Sequence, residues 1–369
     1  MSKPSLGRRA LLIGAGAVGV GVAGAALYGV SAGRAKAAYG ELAATLRAPL
    51  AAGSDMRELI RYATLAANSH NTQPWRFSLG ANAISILPDL TRRTLAVDPD
   101  DHHLFTSLGC ATENLVIAAA ARGLLATPVF DPAGDGAIGV SLAAAPATET
   151  AAFRAIPERQ VTRADYDGKA VAPSDLDQIL AAAHSEDVDV LLLTDPAHIE
   201  RVLGLVVEGN NAQYADPAYV AELKHWLRFD ESQALANRDG LFSATTGNPT
   251  LPSWLGPLLF GLVVTAKGES DTAARQIRSS AGLAIFVGKA ADKAHWVAAG
   301  RAYQRFALAA TALGVKHAFV NQAVEVEGVR AKLAAEIGLP DRRPDLIVRF
   351  GYGPPMPKSL RRPADAVIV

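Results

Sequence analysis

Residues 67–77 read Ala-Asn-Ser-His-Asn-Thr-Gln-Pro-Trp-Arg-Phe, directly after a helical pattern. Five consecutive side chains with hydrogen-bonding groups lie between Ala67 and Gln73. Because a proline biases the residue before it toward an extended backbone, Pro74 predicts that a strand begins at Trp75. The loop therefore presents amide and hydroxyl groups at a corner between a helix and a strand, a common place for a ligand site. We expect Trp75 itself to belong to the core.

The composition allows a large globular core and excludes several classes of site. The chain has 369 residues, of which 50% are hydrophobic and 20% charged. Its 36 basic and 36 acidic residues balance, so nothing indicates a nucleic-acid partner. Cys110 is the only cysteine, which excludes an internal disulfide and a cysteine-rich metal site. We expect a buried thiol there.

The N-terminus has the order of an export signal. Arg8-Arg9 precedes an apolar run over residues 10–30, small residues follow at 35–38, and the first acid is Glu41. This pattern resembles a twin-arginine (Tat) signal over residues 1–38 and predicts a periplasmic or otherwise exported protein that uses the Tat machinery. An uncleaved membrane anchor remains the alternative, since about 20 apolar residues can span a bilayer.

One dinucleotide-like motif lies inside the apolar run. Residues 14–19 match G-x-G-x-x-G. A dinucleotide fold requires an amphipathic helix after the glycines and an acid about 20 residues further on. Residues 20–30 have no polar face, and no acid occurs before Glu41. We therefore reject this interpretation.

Two pairs of segments indicate an internal duplication. Residues 54–60 open a helix in which Asp55 faces Glu58, a capping signature, and residues 174–180 repeat that opening 120 residues later. Residues 109–129 align without gaps to residues 300–320, with seven identities. Among the identities, the pairs Gly109/Gly300 and Gly123/Gly314 are expected to bracket a helix of equal length in each half.

The two offsets differ by 71 residues, so the second copy is expected to carry an insertion near residues 208–270. This region is rich in aromatic residues, namely Tyr214, Tyr219, Trp226, Phe229, Phe242 and Trp254. Insertions of this size are often functional covers, but a helical hairpin packed on the core remains equally open. Further strands are predicted at 83–87, 138–143, 188–193, 284–287 and 345–350, and with helices between them they indicate an α+β architecture.

Neither metal chemistry nor nucleophilic hydrolysis has visible residues. His102 and His103 are adjacent rather than spaced as ligands on one helix face, so we expect a solvated pair and no metal site. No G-x-S-x-G motif occurs. We therefore assign no catalytic residue from the sequence.

Arginine pairs predict an anion site. Arg159 and Arg163 precede the second helix opening, and Arg361-Arg362 lies near the C-terminus. Several guanidinium groups with a hydroxyl suit a phosphate, because they give bidentate, charge-assisted hydrogen bonds. Together with the loop at 67–77, they outline one ligand with a phosphate at one end and a polar ring edge at the other.

These segments resemble the FMN-dependent nitroreductase family. Residues 67–77 are similar to its P-S-x-x-N-x-Q-P-W loop, residues 159–163 to its R-x-S-x-R segment, and Arg361-Arg362 to its final arginine segment. The family's Pro is replaced by Asn68, and Val161 stands where a hydroxyl residue is expected. The leader and the repeated arrangement resemble the duplicated Acg-type subfamily.

The resemblance implies a nitroreductase-like fold built as an intrachain pseudo-dimer, with halves at 45–150 and 151–369. It implies FMN as the cofactor, with the flavin ring against Ser69, Asn71 and Gln73 of the first half and the phosphate held from the second half. The residues implied for the phosphate are Arg159, Arg163 and Arg361 or Arg362, and Asn321 and Gln322 are implied on the far side of the ring. No second amide loop follows residue 180, so we expect one flavin per chain.

The predicted function is an exported oxidoreductase that acts on a small organic substrate through the flavin. The electron donor stays open between NAD(P)H, another reductant and the substrate itself. A non-catalytic protein that sequesters flavin under a lid is the alternative. A membrane-anchored interaction protein without cofactor is a rival from a different class.

Overall fold

The computed structural model describes residues 29–51, 53 and 55–369. The Tat-like signal falls largely on residues 1–28, outside the described residues. The described chain begins in helix α1, which covers residues 29–45.

The first half of the chain forms two helices and four strands in a simple order. After α1 come α2 (Met56–Thr64), β1 (Trp75–Leu79), β2 (Ala83–Pro88), α3 (His102–Ala121), β3 (Leu124–Asp131) and β4 (Ala137–Ala144). The Asp55 side chain caps α2 by accepting from the backbone N–H of Glu58 at 3.1 Å, which confirms the predicted capping contact. A short helix, α4 (Ala151–Ala155), then leads toward the second half.

The second half repeats this order with additional elements. It contains α5 (Pro173–Ala183), β5 (Val188–Leu193), α6 (Pro196–Ala215), α7 (Pro217–Trp226), β6 (Leu227–Arg228), α8 (Glu231–Asn237), β7 (Leu241–Phe242), α9 (Ser243–Thr246), α10 (Gly256–Val263) and α11 (Ala266–Arg278). It ends with β8 (Gly282–Gly288), α12 (Lys293–Ala312), β9 (Lys316–Phe319), α13 (Gln322–Glu325), α14 (Glu327–Glu336) and β10 (Pro344–Gly351).

The two large sheets share one topology. The first has the strand order β1-β2-β4-β3 and the second has β5-β8-β10-β9, with every neighbouring pair antiparallel. If the four strands of each sheet are numbered as they follow in the chain, both sheets have the spatial order first, second, fourth, third. This repeat confirms an α+β fold in which one chain forms a pseudo-dimer of two halves. The half boundaries at 45–150 and 151–369 remain a prediction.

The two long helices α3 and α12 cross at the centre of the molecule, and a glycine of each makes the crossing. A Cβ added to Gly109 would lie 2.1 Å from the carbonyl oxygen of Val297, and one added to Gly300 would lie 1.9 Å from that of Thr106. The expectation that Gly109 and Gly300 bracket their helices was wrong, because both lie within the helices at the contact. Gly123 and Gly314 do follow the helix ends, with φ of +75° and +76°, where glycine costs least.

A single core joins the halves, but their outer faces differ. Buried side chains of α2, α3, β1, β8 and α12 belong to one hydrophobic cluster. Every residue of β8 and β10 is buried, because α6, α11, α13 and α14 cover the outer face of the second sheet. The first sheet leaves Leu125 and Val129 exposed on β3. Among the described residues, α3 is long and apolar enough to cross a membrane, and it lies buried in this core.

The additional elements of the second half lie between β5 and β8, over residues 194–281. This stretch, called the insertion below, extends beyond the predicted 208–270 at both ends. The connections α2–β1 and β2–α3 have 10 and 13 residues in the first half, whereas the matching connections in the second half have 4 each. The insertion is therefore longer than the 71-residue difference in offsets implied.

The C-terminal segment returns from the second half to the first. The backbone N–H of Phe77 in β1 donates to the carbonyl of Val367 at 2.7 Å, and Val369 donates back to the carbonyl of Phe77 at 2.8 Å. This return brings Arg361 and Arg362 to the loop that precedes β1.

Candidate functional site

The loop between α2 and β1 has an unusual backbone. His70, Asn71 and Gln73 have φ of 45°, 54° and 55°, in the left-handed region that disfavours residues with a side chain. Each such residue costs about 1 kcal/mol or more and persists only where its surroundings fix it. Strain of this kind concentrates at ligand sites, so the loop remains the starting point for the site.

Side-chain hydrogen bonds of Gln73 hold the strained loop. Its Nε2 donates to the carbonyl of Arg238 in the insertion at 2.9 Å, and its Oε1 accepts from the N–H of Arg362 at 2.7 Å. Its own N–H donates to Oδ1 of Asn68 at 2.9 Å. Gln73 is fully buried and does not line the cleft described below, so its position is that of a support for the loop rather than of the predicted ring contact.

A branched cleft runs from this loop into the interface between the halves. Its three parts share His70, Arg163 and Phe319 as lining residues. The first part, called the cofactor cleft, contains Ser69, Gln322 and Glu325. The second, called the cationic pocket, contains Arg159 and Arg361. The third, called the apolar chamber, lies beneath the insertion.

The cationic pocket gathers five basic side chains from three distant segments, namely Arg47, Arg159, Arg163, Lys358 and Arg361. Arg361 donates to the carbonyls of Thr64 at 2.7 Å and Ala66 at 3.1 Å, at the C-terminal end of α2, and to Oδ1 of Asn71 at 2.9 Å. The carbonyl end of a helix favours a cation. Arg47 similarly donates to the carbonyl of Ser359 at 2.7 Å.

Arg159 is the decisive side chain of this pocket. It is 5% exposed, and its Nη2 donates to the carbonyl of Leu65 at 2.9 Å. Its Nε and Nη1 are buried and have no hydrogen-bond partner in the described chain. Buried guanidinium nitrogens without partners are costly, so an acceptor is expected to fill the space beside them.

The electrostatics of the pocket favour an anion. Burial, reinforced by Arg47 and Arg159, holds the pKa of Arg361 well below its usual value. Burial lowers the pKa of Lys358 to about 8 and that of Arg47 to about 10. Lys358 reaches the carboxylate of Glu158 at 3.4 Å, but that side chain is 72% exposed. Clustered, desolvated cations with one solvated carboxylate beside them form a site for a phosphate.

The sequence indicated part of this pocket. Arg159, Arg163 and Arg361 come together as predicted, whereas Arg362 lies outside and bonds the carbonyl of Ala366. Arg47 and Lys358 were missed, because no local motif connects them to the site. Thr162, the hydroxyl next to Val161, is fully buried away from the pocket, and Thr245 and Ser359 supply hydroxyl residues to the lining instead.

The cofactor cleft is lined by polar groups from both halves. The N–H of Ser69 donates to Oγ of Ser107 on α3 at 3.2 Å. Asn321 accepts the N–H of Ile347 at 2.9 Å through Oδ1, while Oε1 of Gln322 is buried without a partner among the described residues. Ser69, Asn321 and Gln322 therefore line one cleft, and their contact with a flavin ring stays a prediction. Asn71 lines the cationic pocket instead and donates to the carbonyl of Gly240 at 3.1 Å.

Arg163 lies at the junction of all three parts. Its side chain makes no hydrogen bond or ion pair with any described residue, and burial together with Arg349 lowers its pKa. A free guanidinium at this junction can stabilise negative charge on a bound ring or on a substrate.

The histidine pair is buried, so the expectation of a solvated pair was wrong. His102 and His103 are 1% and 6% exposed. Nε2 of His102 lies 2.9 Å from Oδ1 of Asp345, and Nε2 of His103 lies 3.4 Å from Oε1 of Glu325. Each histidine has its own carboxylate, which explains how both are accommodated in the interior. Within residues 29–51, 53 and 55–369, no group of three potential ligands could hold a metal.

Cys110 and Trp75 are buried as predicted. The Cys110 thiol is 2% exposed and donates to the carbonyl of Gly300 at 3.2 Å, and burial raises its pKa to about 12. It is therefore a neutral thiol in the wall of the cleft. Trp75 is fully buried in the core cluster and takes no part in the cleft lining.

The insertion covers the cleft and supplies most of the apolar chamber. Tyr219 is 9% exposed and lines both the chamber and the cofactor cleft, and Phe229 and Phe260 line the chamber. Glu222 accepts the N–H groups of Ala96 at 3.0 Å and Val97 at 3.2 Å, which fastens the insertion to the first half. The insertion is therefore a cover of the site and also a packed helical element.

Residues 156–352 match the model of the nitroreductase family, which is more than half of the chain. The chain belongs to the nitroreductase family. The matched residues include Arg159, Arg163, Asn321 and Gln322, and they end just before the C-terminal segment that carries Arg361.

Two similar proteins come from Mycobacterium tuberculosis. One, "Putative NAD(P)H nitroreductase Rv3131", is 25% identical over 325 residues, covering 85% of this chain and 90% of the relative. The other, "Putative NAD(P)H nitroreductase acg", is 23% identical over 327 residues, covering 85% and 94%. The similarity to both spans the two halves.

Solved family structures overlap with about half of the chain. A nitroreductase with bound FMN from Bacteroides fragilis is 18% identical, covers 56% of this chain and 90% of its own, and has a TM-score of 0.35. The FMN-dependent nitroreductase NfnB from Mycobacterium smegmatis, in complex with NADPH, is 15% identical, covers 55% and 87%, and has a TM-score of 0.37.

Proposed function

We propose that this chain binds one FMN in the cleft and acts as an oxidoreductase on a small organic substrate. The observation that carries the proposal is Arg159, whose two buried guanidinium nitrogens have no partner among the described residues and lie within a cluster of five basic side chains. A flavin mononucleotide has one phosphate to satisfy them. The family's mycobacterial relatives are named as NAD(P)H nitroreductases, which supports this chemistry.

The residues present fit the two ends of such a cofactor. Arg159, Arg361, Arg47 and Lys358 would hold the phosphate, and the cofactor cleft continues from them past the shared lining residues His70 and Arg163. Ser69, Asn321 and Gln322 would contact the ring, and the unpaired Oε1 of Gln322 can accept a hydrogen bond from it. Bound FMN supplies two-electron redox chemistry, which no side chain of the protein can supply itself.

The protein's own contribution is orientation, charge and exclusion of water. Arg163 would stabilise negative charge that develops on the ring, since its guanidinium makes no hydrogen bond with a described residue, although Glu269 lies near enough to attract it. The insertion would screen the site from solvent, and the apolar chamber would receive the less polar part of a substrate. The Tat-like leader adds the proposal of export after folding, which suits a protein that acquires its cofactor before crossing the membrane.

The stoichiometry of flavin tests the proposal. Purified full-length protein, saturated with FMN and desalted, should retain one FMN per chain by absorbance and protein assay. Replacing Arg159 and Arg361 together by alanine should abolish retention. Protein that remains colourless after FMN is added would refute the proposal, and two FMN per chain would refute the single site.

A storage role is the second candidate, and the hydrogen bonds between insertion and loop favour it. The carbonyls of Arg238 and Gly240 accept from Gln73 and Asn71, so the cover is attached to the site itself. Rapid mixing of the FMN-loaded protein with NADPH and with dithionite separates the two functions. Fast reduction by NADPH supports a reductase, and slow reduction even by dithionite supports a sealed, stored flavin.

A further inference from the structure

Two cavities meet at the pair formed by His103 and Glu325. His103 lies in the first turn of α3, Glu325 ends α13, and Nε2 of the imidazole is 3.4 Å from Oε1 of the carboxylate. Both residues line the cofactor cleft. Both also line a second cavity, called the outer cavity, whose other lining residues include Asp100, Arg330 and Arg343. The pair is therefore a wall with the cleft on one side and the outer cavity on the other.

Neighbouring groups fix the geometry of this pair. Nε2 of Gln213 donates to Oε2 of Glu325 at 2.5 Å, which leaves Oε1 for the imidazole. The Asp98 carboxylate accepts the N–H groups of His103 at 2.9 Å and Leu104 at 3.0 Å and so holds the start of α3. The side chains of His103 and Glu325 are only 7% and 15% exposed.

The charges around the pair favour a proton on the imidazole. Burial acts to lower the pKa of His103, but Glu325 and Asp98 outweigh it and raise that pKa. Burial acts to raise the pKa of Glu325, but His103 and Gln213 outweigh it and lower that pKa. Both shifts favour an imidazolium beside a carboxylate. The other titratable or charged groups that face the pair are His70, His102, Tyr219, Arg343 and Asp345.

Other groups on the cleft wall do not offer a mobile proton at neutral pH. Burial lowers the pKa of His70 to about 4, so its imidazole is neutral. Burial raises the pKa of the Cys110 thiol to about 12 and also raises that of Tyr219. The Cys110 thiol and the Tyr219 hydroxyl therefore keep their protons, and the His70 imidazole has no extra proton to give. The His103–Glu325 pair differs from these groups because its imidazole can gain and release a proton.

We propose that His103 and Glu325 form a proton relay between the outer cavity and the cofactor cleft. The proposal rests on the function proposed above, in which a substrate that gains an electron pair in the cleft must also gain a proton. The proton on Nε2 of the imidazolium leaves for the substrate, and the pair becomes neutral imidazole and carboxylate. A water-borne proton from the outer cavity then restores the imidazolium, so charge and protons balance over one cycle.

The first test needs neither cofactor nor turnover. In cofactor-free protein labelled with ¹⁵N-histidine, a pH titration of the imidazole nitrogens should show His103 protonated above pH 7. Glu325→Gln should move that titration to lower pH. The control is Glu336→Gln, which removes the carboxylate of the partly buried pair His198–Glu336 at 3.2 Å and should leave His103 unchanged. A neutral His103 at pH 7 in the wild-type protein, or no shift in Glu325→Gln, overturns the relay.

The second test separates proton transfer from electron transfer. FMN-loaded protein, reduced with dithionite, is mixed rapidly with 1,4-benzoquinone, whose reduction consumes protons, or with ferricyanide, whose reduction consumes none. Glu325→Gln and His103→Gln should each lower the rate of benzoquinone reduction by about 100-fold, which is the lower end of the range for general acid catalysis. The slowed reaction should also show a solvent deuterium isotope effect. The rate of ferricyanide reduction should not change in either variant. An equal loss of rate with both acceptors, or no loss of rate with either, overturns the relay.

The two tests also separate the relay from the proposed function. A wild-type protein that reduces neither acceptor contradicts the oxidoreductase function, while the histidine titration still decides whether the pair stores a proton. Acetate should partly restore benzoquinone reduction in Glu325→Ala, because a small carboxylic acid can enter from the outer cavity. Restoration without any acid added would contradict the role of Glu325.

Discussion

The two halves of the chain repeat one topology, but the cofactor cleft lies at the loop between α2 and β1 of the first half and not at the matching connection between α5 and β5. After α2 a 10-residue loop leads to β1, whereas 4 residues join α5 to β5. Four residues cannot carry the strained turn that places Ser69 and His70 in the cleft. The longer connection is therefore what converts a structural corner into a site.

The central helices differ at matched positions in the same way. Asn114 on α3 donates to the carbonyl of Tyr62 at 3.0 Å and accepts from Gln304 at 2.7 Å. At the corresponding place Arg305 on α12 donates to the carbonyl of Ala182 at 2.8 Å and to Glu113 at 3.0 Å. The neutral amide pair of Asn114 and Gln304 thus lies on the side of the α2–β1 loop, and the ion pair of Glu113 and Arg305 lies on the side of α5. The arrangement teaches that one topology can hold a ligand on one side and close itself on the other.

The largest effect is expected where the halves are most alike, at the helix crossing. Gly109→Ala and Gly300→Ala each place a Cβ about 2 Å from a backbone carbonyl oxygen. Because backbone cannot move aside cheaply, each should lower the free energy of unfolding by about 3 kcal/mol or more. Urea denaturation measures it. The control Gly328→Ala in α14 meets no atom within 4 Å and should be neutral or slightly stabilising. A large difference between the two crossing variants would break the symmetry of the comparison.

The next effect tests the asymmetry of the site. Arg159→Met should weaken FMN binding by about 10- to 150-fold, since a charge-assisted hydrogen bond contributes about 1.5–3 kcal/mol. It should not destabilise the cofactor-free protein strongly, because two nitrogens of Arg159 have no partner there. Quenching of FMN fluorescence measures binding. Arg305→Met on the closed side should leave FMN affinity unchanged while lowering stability, and equal loss of affinity in both variants would contradict a single site.

A third prediction concerns β10, which carries the buried carboxyl of Asp345, whereas its counterpart β4 has no ionisable residue. Burial raises the pKa of Asp345 to about 7, against about 3.9 in an unfolded chain. Between pH 4 and pH 7 the folded protein therefore binds the extra proton, and this group's contribution to stability falls as pH rises. Asp345→Asn should remove that loss, so the free energy of unfolding of the variant should gain about 1–2 kcal/mol relative to wild type between pH 5 and pH 8.

The measurement is denaturation at a series of pH values, with the difference between variant and wild type plotted. Burial lowers the pKa of His102, so the contribution of His102 to stability rises with pH, opposite to that of Asp345. Because both proteins contain His102, its contribution is the same in variant and wild type. Asp189→Asn is the control of opposite sign, since Lys289 and Arg342 lower the pKa of Asp189. A pH-independent difference for Asp345→Asn would show that the carboxyl is ionised throughout.

The sequence predicted much of the fold because strands carry local patterns. The expected strands at 83–87, 138–143, 188–193, 284–287 and 345–350 are confirmed within one or two residues at each end. β3 was missed, since Pro128 within Leu124–Asp131 argues against a strand, and β9 was missed because it has only four residues. The glycine pairs were found, but their role was not, because a helix crossing leaves no local signal.

The site was predicted only as far as its motifs reach. Ser69, Arg159, Arg163 and Arg361 lie in recognisable segments and line the cleft. Gln73 lies in such a segment too, yet its amide supports the loop from beneath. Arg47, Lys358 and the pair of His103 and Glu325 come from segments far apart in sequence. Only the return of the C-terminal segment and the contact between the start of α3 and the end of α13 bring them to the cleft.

The smallest effect concerns the first turns of α2 and α5, which open the two halves. Asp55 caps α2, whereas Ala172 at the same position of α5 offers no side-chain cap, although Pro173 begins that helix favourably. Asp55→Ala should cost about 1 kcal/mol, and Ala172→Asp should gain about 0.5–1 kcal/mol, because an aspartate there can accept an unpaired N–H of the first turn. Thermal denaturation of both variants and of the double variant measures the changes. The double variant should return close to wild type, since the two helix starts belong to separate halves and their effects should add. A marked departure from additivity would mean that the two helix starts are energetically coupled through the shared core, and that the halves are less independent than their repeated topology indicates.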